Sequence, residues 1–108
     1  MKSCIIFAVK KDGSKDMLCT HSTESSIEFC KTLIGKAPSS MILPLEGAEE
    51  VLKSLNKVIA GKIEYLNKSS DISSDDILDL HGICSIFSSL SRFKPNNRRV
   101  SHFQIEVV

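Results

Sequence analysis

The sequence predicts a single α+β domain in which about three helices pack on a mainly antiparallel sheet. Three patterns favour this class: an N-terminal β-hairpin, helical periodicities in the middle of the chain, and a strictly alternating C-terminal strand. With 108 residues the chain is too short for two domains that each bury a core, so residues 1–108 are assigned to one domain. The predicted order of elements is ββα(β)ααβ.

The hairpin is indicated by two extended patterns on either side of a turn. Residues 4–9 form an unbroken apolar run, which is typical of a strand covered on both faces. Asp12 and Gly13 supply the turn signal, and an extended pattern resumes over residues 17–21. We therefore expect the chain to begin with two antiparallel strands.

A helix over residues 23–35 comes next, with Ser22 or Thr23 as its N-cap and Gly35 as its stop. Residues 41–45 then form a short apolar run, in which Pro44 would restrict a strand to the edge of the sheet. This optional strand is the one in parentheses in the predicted order.

Two further helices and a final strand complete the prediction. The second helix begins at Ala48, and Gly61 either ends it or is tolerated, which leaves residues 62–66 open between helix and strand. Ser73 or Ser74 caps the third helix, which we expect to be the most deeply buried. Its predicted apolar face consists of Ile77, Leu80, Ile83, Cys84, Phe87 and Leu90, widened by Ile86 and Phe93. Residues 101–107 alternate apolar and polar side chains, which favours an antiparallel strand with one wet face.

The composition indicates which cellular compartment and which classes of partner are compatible with this chain. The 14 Lys and Arg residues nearly balance the 13 Asp and Glu residues, so the net charge of +1 offers no bulk attraction to nucleic acid or to a membrane. Every apolar run is far shorter than the roughly 20 residues that span a bilayer, and the run near the N-terminus is too short for a signal peptide. Three of the four cysteines lie inside apolar patterns, which favours free thiols and a cytoplasmic protein without a membrane contact.

A set of two thiols and two imidazoles is the main candidate for metal or nucleophilic chemistry. Cys19 and His21 share a strand face, and His81 and Cys84 share a helix face, which together would supply a tetrahedral zinc site. Core packing explains Cys84 equally well, and Cys19 with His21 lacks the glycine-rich elbow of a catalytic nucleophile. We expect no bound metal, no cofactor and no enzymatic activity.

Two clusters of charge flank the third helix. The acidic cluster at its start contains Asp71, Asp75, Asp76 and Asp79, and the basic cluster after its end contains Arg92, Lys94, Arg98 and Arg99. The helix dipole can account for both clusters, since acids stabilise an N-terminus and bases a C-terminus by about 0.3–1 kcal/mol each. Alternatively, the acidic cluster contacts a basic protein and the basic loop contacts phosphates.

The predicted function follows from the absence of a catalytic motif, a cofactor motif and a strong net charge. We expect a small cytoplasmic protein-binding or inhibitor protein, for example an immunity protein or antitoxin that covers the active site of a nuclease-type toxin. The predicted partner-binding residues are Asp71, Asp75, Asp76, Asp79, Arg98 and Arg99. One alternative is a nucleic-acid-binding or regulatory module that uses the basic loop over residues 92–99. The other is a structural subunit of a larger assembly, which exposed apolar residues over residues 41–45 would favour.

Overall fold

The computed structural model describes residues 2–35 and 40–108, which form four strands and three helices. In chain order these are β1 (Cys4–Lys10), β2 (Lys15–His21), α1 (Glu24–Ile34), β3 (Ser40–Pro44), α2 (Ala48–Lys68), α3 (Ser74–Ser91) and β4 (Val100–Val107). The α+β class, the N-terminal hairpin and the C-terminal strand are confirmed, and so is the predicted order of elements.

The sheet is antiparallel throughout, with strand order β2-β1-β4-β3. The first and last strands are therefore neighbours at its centre, and Ser3 and Val108 exchange backbone hydrogen bonds of 2.7 and 2.9 Å. The optional strand exists as β3 and lies at an edge of the sheet. Pro44 has no backbone N–H to donate, and an edge strand tolerates this because no further strand pairs with its open side.

The three helices contribute to a core on one face of this sheet. The central strands supply Cys4, Ile6, Phe103 and Ile105, each 0% exposed. The helices add Cys30 from α1, Leu55 from α2, and Ile83, Ile86 and Leu90 from α3. The expectation that β1 is covered on both faces is wrong, because Ile5 and Phe7 point to the opposite face and are only half-buried. The Lys15 ammonium lies over the Phe7 ring on this face, 5.7 Å from the ring centroid.

α2 is continuous through Gly61, so residues 62–66 are helical. Its buried residues are Ala48, Val51 and Leu55, all in its first half. Between residues 56 and 81 no residue is fully buried; Val58 and Ile59 still pack against the core, and the rest of the joined ends of α2 and α3 projects from it. We call residues 56–81 the hairpin end, and the longest dimension of the molecule, 50 Å against 29 and 23 Å, reflects this projection.

α3 begins where it was expected, with Ser73 as its N-cap. The Ser73 hydroxyl accepts from the Asp76 amide, and the Asp76 carboxylate accepts from the Ser73 amide, both at 3.2 Å. The predicted apolar face is only partly correct. Ile83 and Leu90 are buried, but Ile77 is 57% exposed and Leu80, Cys84 and Phe87 are half-buried. The reason is that the first half of α3 lies in the hairpin end, where no sheet covers it.

The middle of α3 approaches the start of α1 closely at Gly82. A Cβ at this position would overlap Ser26 Oγ and lie 2.7 Å from Thr23 Oγ1. These two hydroxyls are already joined by a hydrogen bond of 2.6 Å, and Ser26 is fully buried. A glycine is therefore needed here for contact between the helices, although its backbone is ordinary helix.

The two helical glycines give a matched test of this contact. Gly82→Ala should lower the free energy of unfolding by about 1–3 kcal/mol, because the added methyl group must displace hydrogen-bonded hydroxyls. Gly61→Ala meets no atom within 4 Å, so it should raise the free energy of unfolding by about 0.5–1 kcal/mol. Urea denaturation of both variants measures these changes, and equal changes of the same sign would contradict the close approach.

Candidate functional site

The four candidate metal-ligating residues lie in one region of the structure. β2 and α3 form the walls of a groove of about 550 Å³, lined by Cys19 from β2 and by His81 and Cys84 from α3. His21 stands beside it, with its ring centroid 5.8 Å from that of His81. The strand end and the helix turn therefore meet, which their spacing in the sequence does not reveal.

These side chains do not converge on a common point. The two imidazole rings meet edge to face at 64°. Over residues 2–35 and 40–108, no group of three or more His, Cys, Asp or Glu side chains is placed to hold a metal ion. What the arrangement provides is a polar groove with two partly exposed thiols, to which Arg92 adds a positive charge.

Burial determines how the thiols behave. Burial raises the pKa of the Cys19 thiol, which outweighs the opposing contact with Ser89, so Cys19 is protonated at neutral pH and is a poor nucleophile. A hydrogen bond from the Cys30 thiol lowers the pKa of Cys4 to about 7 and raises that of Cys30. The sequence patterns do not indicate this pair, because Cys4 and Cys30 belong to separate apolar stripes. Both are 0% exposed, which keeps them from solution reagents.

The acidic cluster divides into two pairs with different surroundings. Asp76 belongs to the cap of α3, and Asp79 accepts a long hydrogen bond of 3.4 Å from the Ser25 amide at the start of α1. Both carboxylates therefore serve the fold. Asp71 and Asp75 are exposed, and within the described part of the chain their carboxylates take part in no hydrogen bond or ion pair. Neither carboxylate is held by a contact within the described fold.

Large apolar side chains are exposed beside these free carboxylates. They are Ile63 and Tyr65 on α2, Ile72 in the connection, and Ile77 and Leu78 on α3, each between 45% and 57% exposed. Sequence periodicity assigns Ile77 to the core, because a helical stripe does not show where the sheet beneath it ends. The length of α2, 21 residues or about 31 Å, is the signal that a small sheet could not cover it entirely.

The basic cluster is larger in the structure than in the sequence. Arg92, Arg98 and Arg99 line a groove of about 570 Å³ together with Lys10 at the end of β1 and Lys11 in the β1–β2 turn. We call this the basic groove. The two lysines are not predicted, because almost ninety positions separate them from the arginines along the chain. Arg92 is the C-cap of α3, where the helix dipole favours a cation, but Arg98, Arg99 and the two lysines lie outside the helix, so the dipole does not explain this concentration of charge.

Comparison with known proteins identifies no relative: no family model, curated protein or solved structure matches the chain. In the described ranges, no helix is long and apolar enough to cross a membrane. Any function must therefore be argued from the hairpin end, the basic groove and the thiol groove themselves.

The thiol environments predict a clear order of alkylation. In the folded protein at pH 9, iodoacetamide should modify Cys19 and Cys84, which are partly exposed, well before Cys4 and Cys30, which are 0% exposed. Peptide mass spectrometry over time measures the four rates. In denaturant all four should react alike, and early modification of Cys4 in the folded state would contradict its burial.

His21 predicts a loss of stability in acid. Burial, with a smaller effect of His81, lowers the pKa of His21 from its ordinary value near 6.5. The unfolded chain therefore binds the proton more readily, so this contribution to stability is complete above pH 6.5 and is lost as the pH falls through the lower folded pKa. His21→Gln should flatten the fall in melting temperature below pH 6.5, whereas His102→Gln, on the opposite sheet face, should not. Parallel acid-side curves for wild type and His21→Gln would contradict this.

Proposed function

We propose that this protein is a protein-binding module without catalysis of its own, and that it docks through the hairpin end onto a basic surface of another protein. The observation that carries this proposal is the exposure of Ile72, Ile77 and Leu78 beside the unpaired carboxylates of Asp71 and Asp75. Apolar anchors next to free charges are the composition of a binding surface.

The two kinds of side chain would contribute differently to binding. Complete burial of an exposed Ile or Leu side chain is worth about 1.5–3 kcal/mol, so Ile77 and Leu78 are the candidates for hot spots. Asp71 and Asp75 would steer a basic partner toward the surface and raise the rate of association more than the affinity. Asp75 also lies in the first turn of α3, where a negative charge already stabilises the helix.

The concrete case that we favour is an inhibitor in the cytoplasm, such as an immunity protein or antitoxin that covers the active site of a nuclease-type toxin. Active sites that act on nucleic acid are basic, because they bind a phosphate backbone, and an acidic surface complements them. The four free thiols suit a reducing compartment. Arg98 and Arg99 are not part of this surface, since they follow the C-terminal end of α3, whereas Asp71 and Asp75 lie at its N-terminal end, about 27 Å away along the helix.

A second candidate is a structural subunit of a larger assembly, and the open sheet face favours it. Ile42 on β3 is 64% exposed and Met17 on β2 is 60% exposed. They lie on the two edge strands rather than side by side, so they form a weaker apolar surface than the hairpin end.

Paired variants test the docking surface. A tagged protein expressed in its native host should retain a protein partner that binds with a salt-dependent Kd. The double variant Ile77→Ser/Leu78→Ser should weaken this Kd at least tenfold, which corresponds to about 1.4 kcal/mol. Asp71→Asn/Asp75→Asn should slow association and reduce its dependence on salt. Titration by surface plasmon resonance measures both effects.

The controls change the same residue types elsewhere. Glu49→Gln/Glu50→Gln removes two exposed carboxylates from the start of α2, and Met17→Ser/Ile42→Ser removes two exposed apolar side chains from the sheet. Both controls should bind as the wild type does. Full binding by the hairpin-end variants would refute the docking surface, and loss of binding by Met17→Ser/Ile42→Ser would favour the structural subunit instead.

A further inference from the structure

We propose that the basic groove is a binding site for the phosphate groups of a small phosphorylated molecule, such as a nucleoside diphosphate. The groove lies between the β1–β2 turn and the connection from α3 to β4. It is separate from the hairpin end, so this proposal does not depend on the function proposed above.

The basic groove is much more positively charged than the chain as a whole. Five of the 14 basic residues line it, but only two of the 13 acidic residues do. Both acids have partners: Asp16 pairs with Lys10 at 3.0 Å, and Asp12 accepts hydrogen bonds from the amide and hydroxyl of Ser14 at 2.8 and 2.6 Å. The groove is therefore strongly positive, while the remainder of the chain is acidic overall.

The other cations are free to bind an anion. Within the ranges that the structure describes, no ion pair involves Lys11, Arg98 or Arg99. Arg92, which also lines the groove, lies with its guanidinium 5.8 Å from the Phe93 ring centroid. A guanidinium can donate two parallel hydrogen bonds to one phosphate, and a lysine adds a compact charge, so together they suit neighbouring phosphates.

The backbone beneath these cations is held in place before any ligand binds. The Lys11 amide donates to the Arg99 carbonyl at 2.9 Å, which joins the two segments. Asn97 Oδ1 accepts from the amides of Arg99 and Val100 at 2.9 and 2.8 Å, which fixes the turn before β4. A prearranged site loses less conformational entropy on binding, so it gains affinity from the same contacts.

The dimensions favour a small ligand over a nucleic-acid strand. About 570 Å³ lies within the range of roughly 300–1,000 Å³ that is usual for small-molecule sites. Half-buried Phe93 offers an apolar surface beside the charges, against which a base could pack. A strand would need a basic stripe that follows several phosphates, and the acidic remainder of the chain provides none.

Calorimetric titration of the full chain with ADP and with inorganic pyrophosphate tests the site. Both should bind, with ADP the tighter of the two if the base packs on Phe93. Arg98→Gln/Arg99→Gln should weaken both at least tenfold without a change in melting temperature, because both side chains are exposed and the backbone hydrogen bonds of Arg99 remain. Lys53→Gln/Lys57→Gln removes the same charge from exposed positions on α2 and should leave both affinities unchanged.

Three results would overturn the proposal. The first is equal weakening by the Arg98/Arg99 and Lys53/Lys57 pairs, which would mean that only net charge matters. The second is binding of sulfate as tightly as pyrophosphate, which would reduce the site to a general attraction for anions. The third is tight binding of a single-stranded oligonucleotide with no measurable binding of ADP or pyrophosphate, which would assign the groove to nucleic acid.

Discussion

The antiparallel pairing of β1 with β4 is the constraint on which the rest of the structure depends. It closes the chain by joining its first strand to its last, and it places both strands at the centre of the sheet. The same register sets Lys10 opposite Val100, so the β1–β2 turn lies beside the segment that contains Arg98 and Arg99. The basic groove is thus a direct consequence of the pairing of β1 with β4.

The small size of the sheet explains the division within α2 and α3. Four strands cover only the first half of α2 and the second half of α3, where Leu55, Ile83 and Ile86 are fully buried. Beyond them the two helices pack against each other and meet the rest of the fold at the start of α1, where Lys62 and Asp79 both bond to Ser25, and apolar side chains such as Ile77 stay exposed. Exposed apolar surface is costly to retain in water, which is the physical basis of the docking surface that we propose at the hairpin end.

The charges of this chain illustrate how structural and functional roles can be separated within one cluster. Asp76 and Asp79 are held by backbone amides, and Asp75 stabilises the first turn of α3 through the helix dipole, whereas Asp71 has no such role in the fold. Among the basic residues only Arg92, the C-cap of α3, lies where the helix dipole favours a cation, and the dipole does not account for Arg98 and Arg99. For the cysteines, burial is the main influence. It makes Cys19 a poor nucleophile and keeps Cys4 and Cys30 from solvent.

Local patterns in the sequence determined the fold class, the order of elements and the cap at Ser73, because turn, cap and periodicity signals act over a few neighbouring residues. They also located the charge clusters on either side of α3. Only the tertiary structure decided that Ile77 is exposed, that Gly82 must lack a side chain, and that Lys10 and Lys11 join the arginines in one groove. Each of these depends on contacts between segments far apart in the chain, and local patterns in a single sequence do not show which distant segments come into contact.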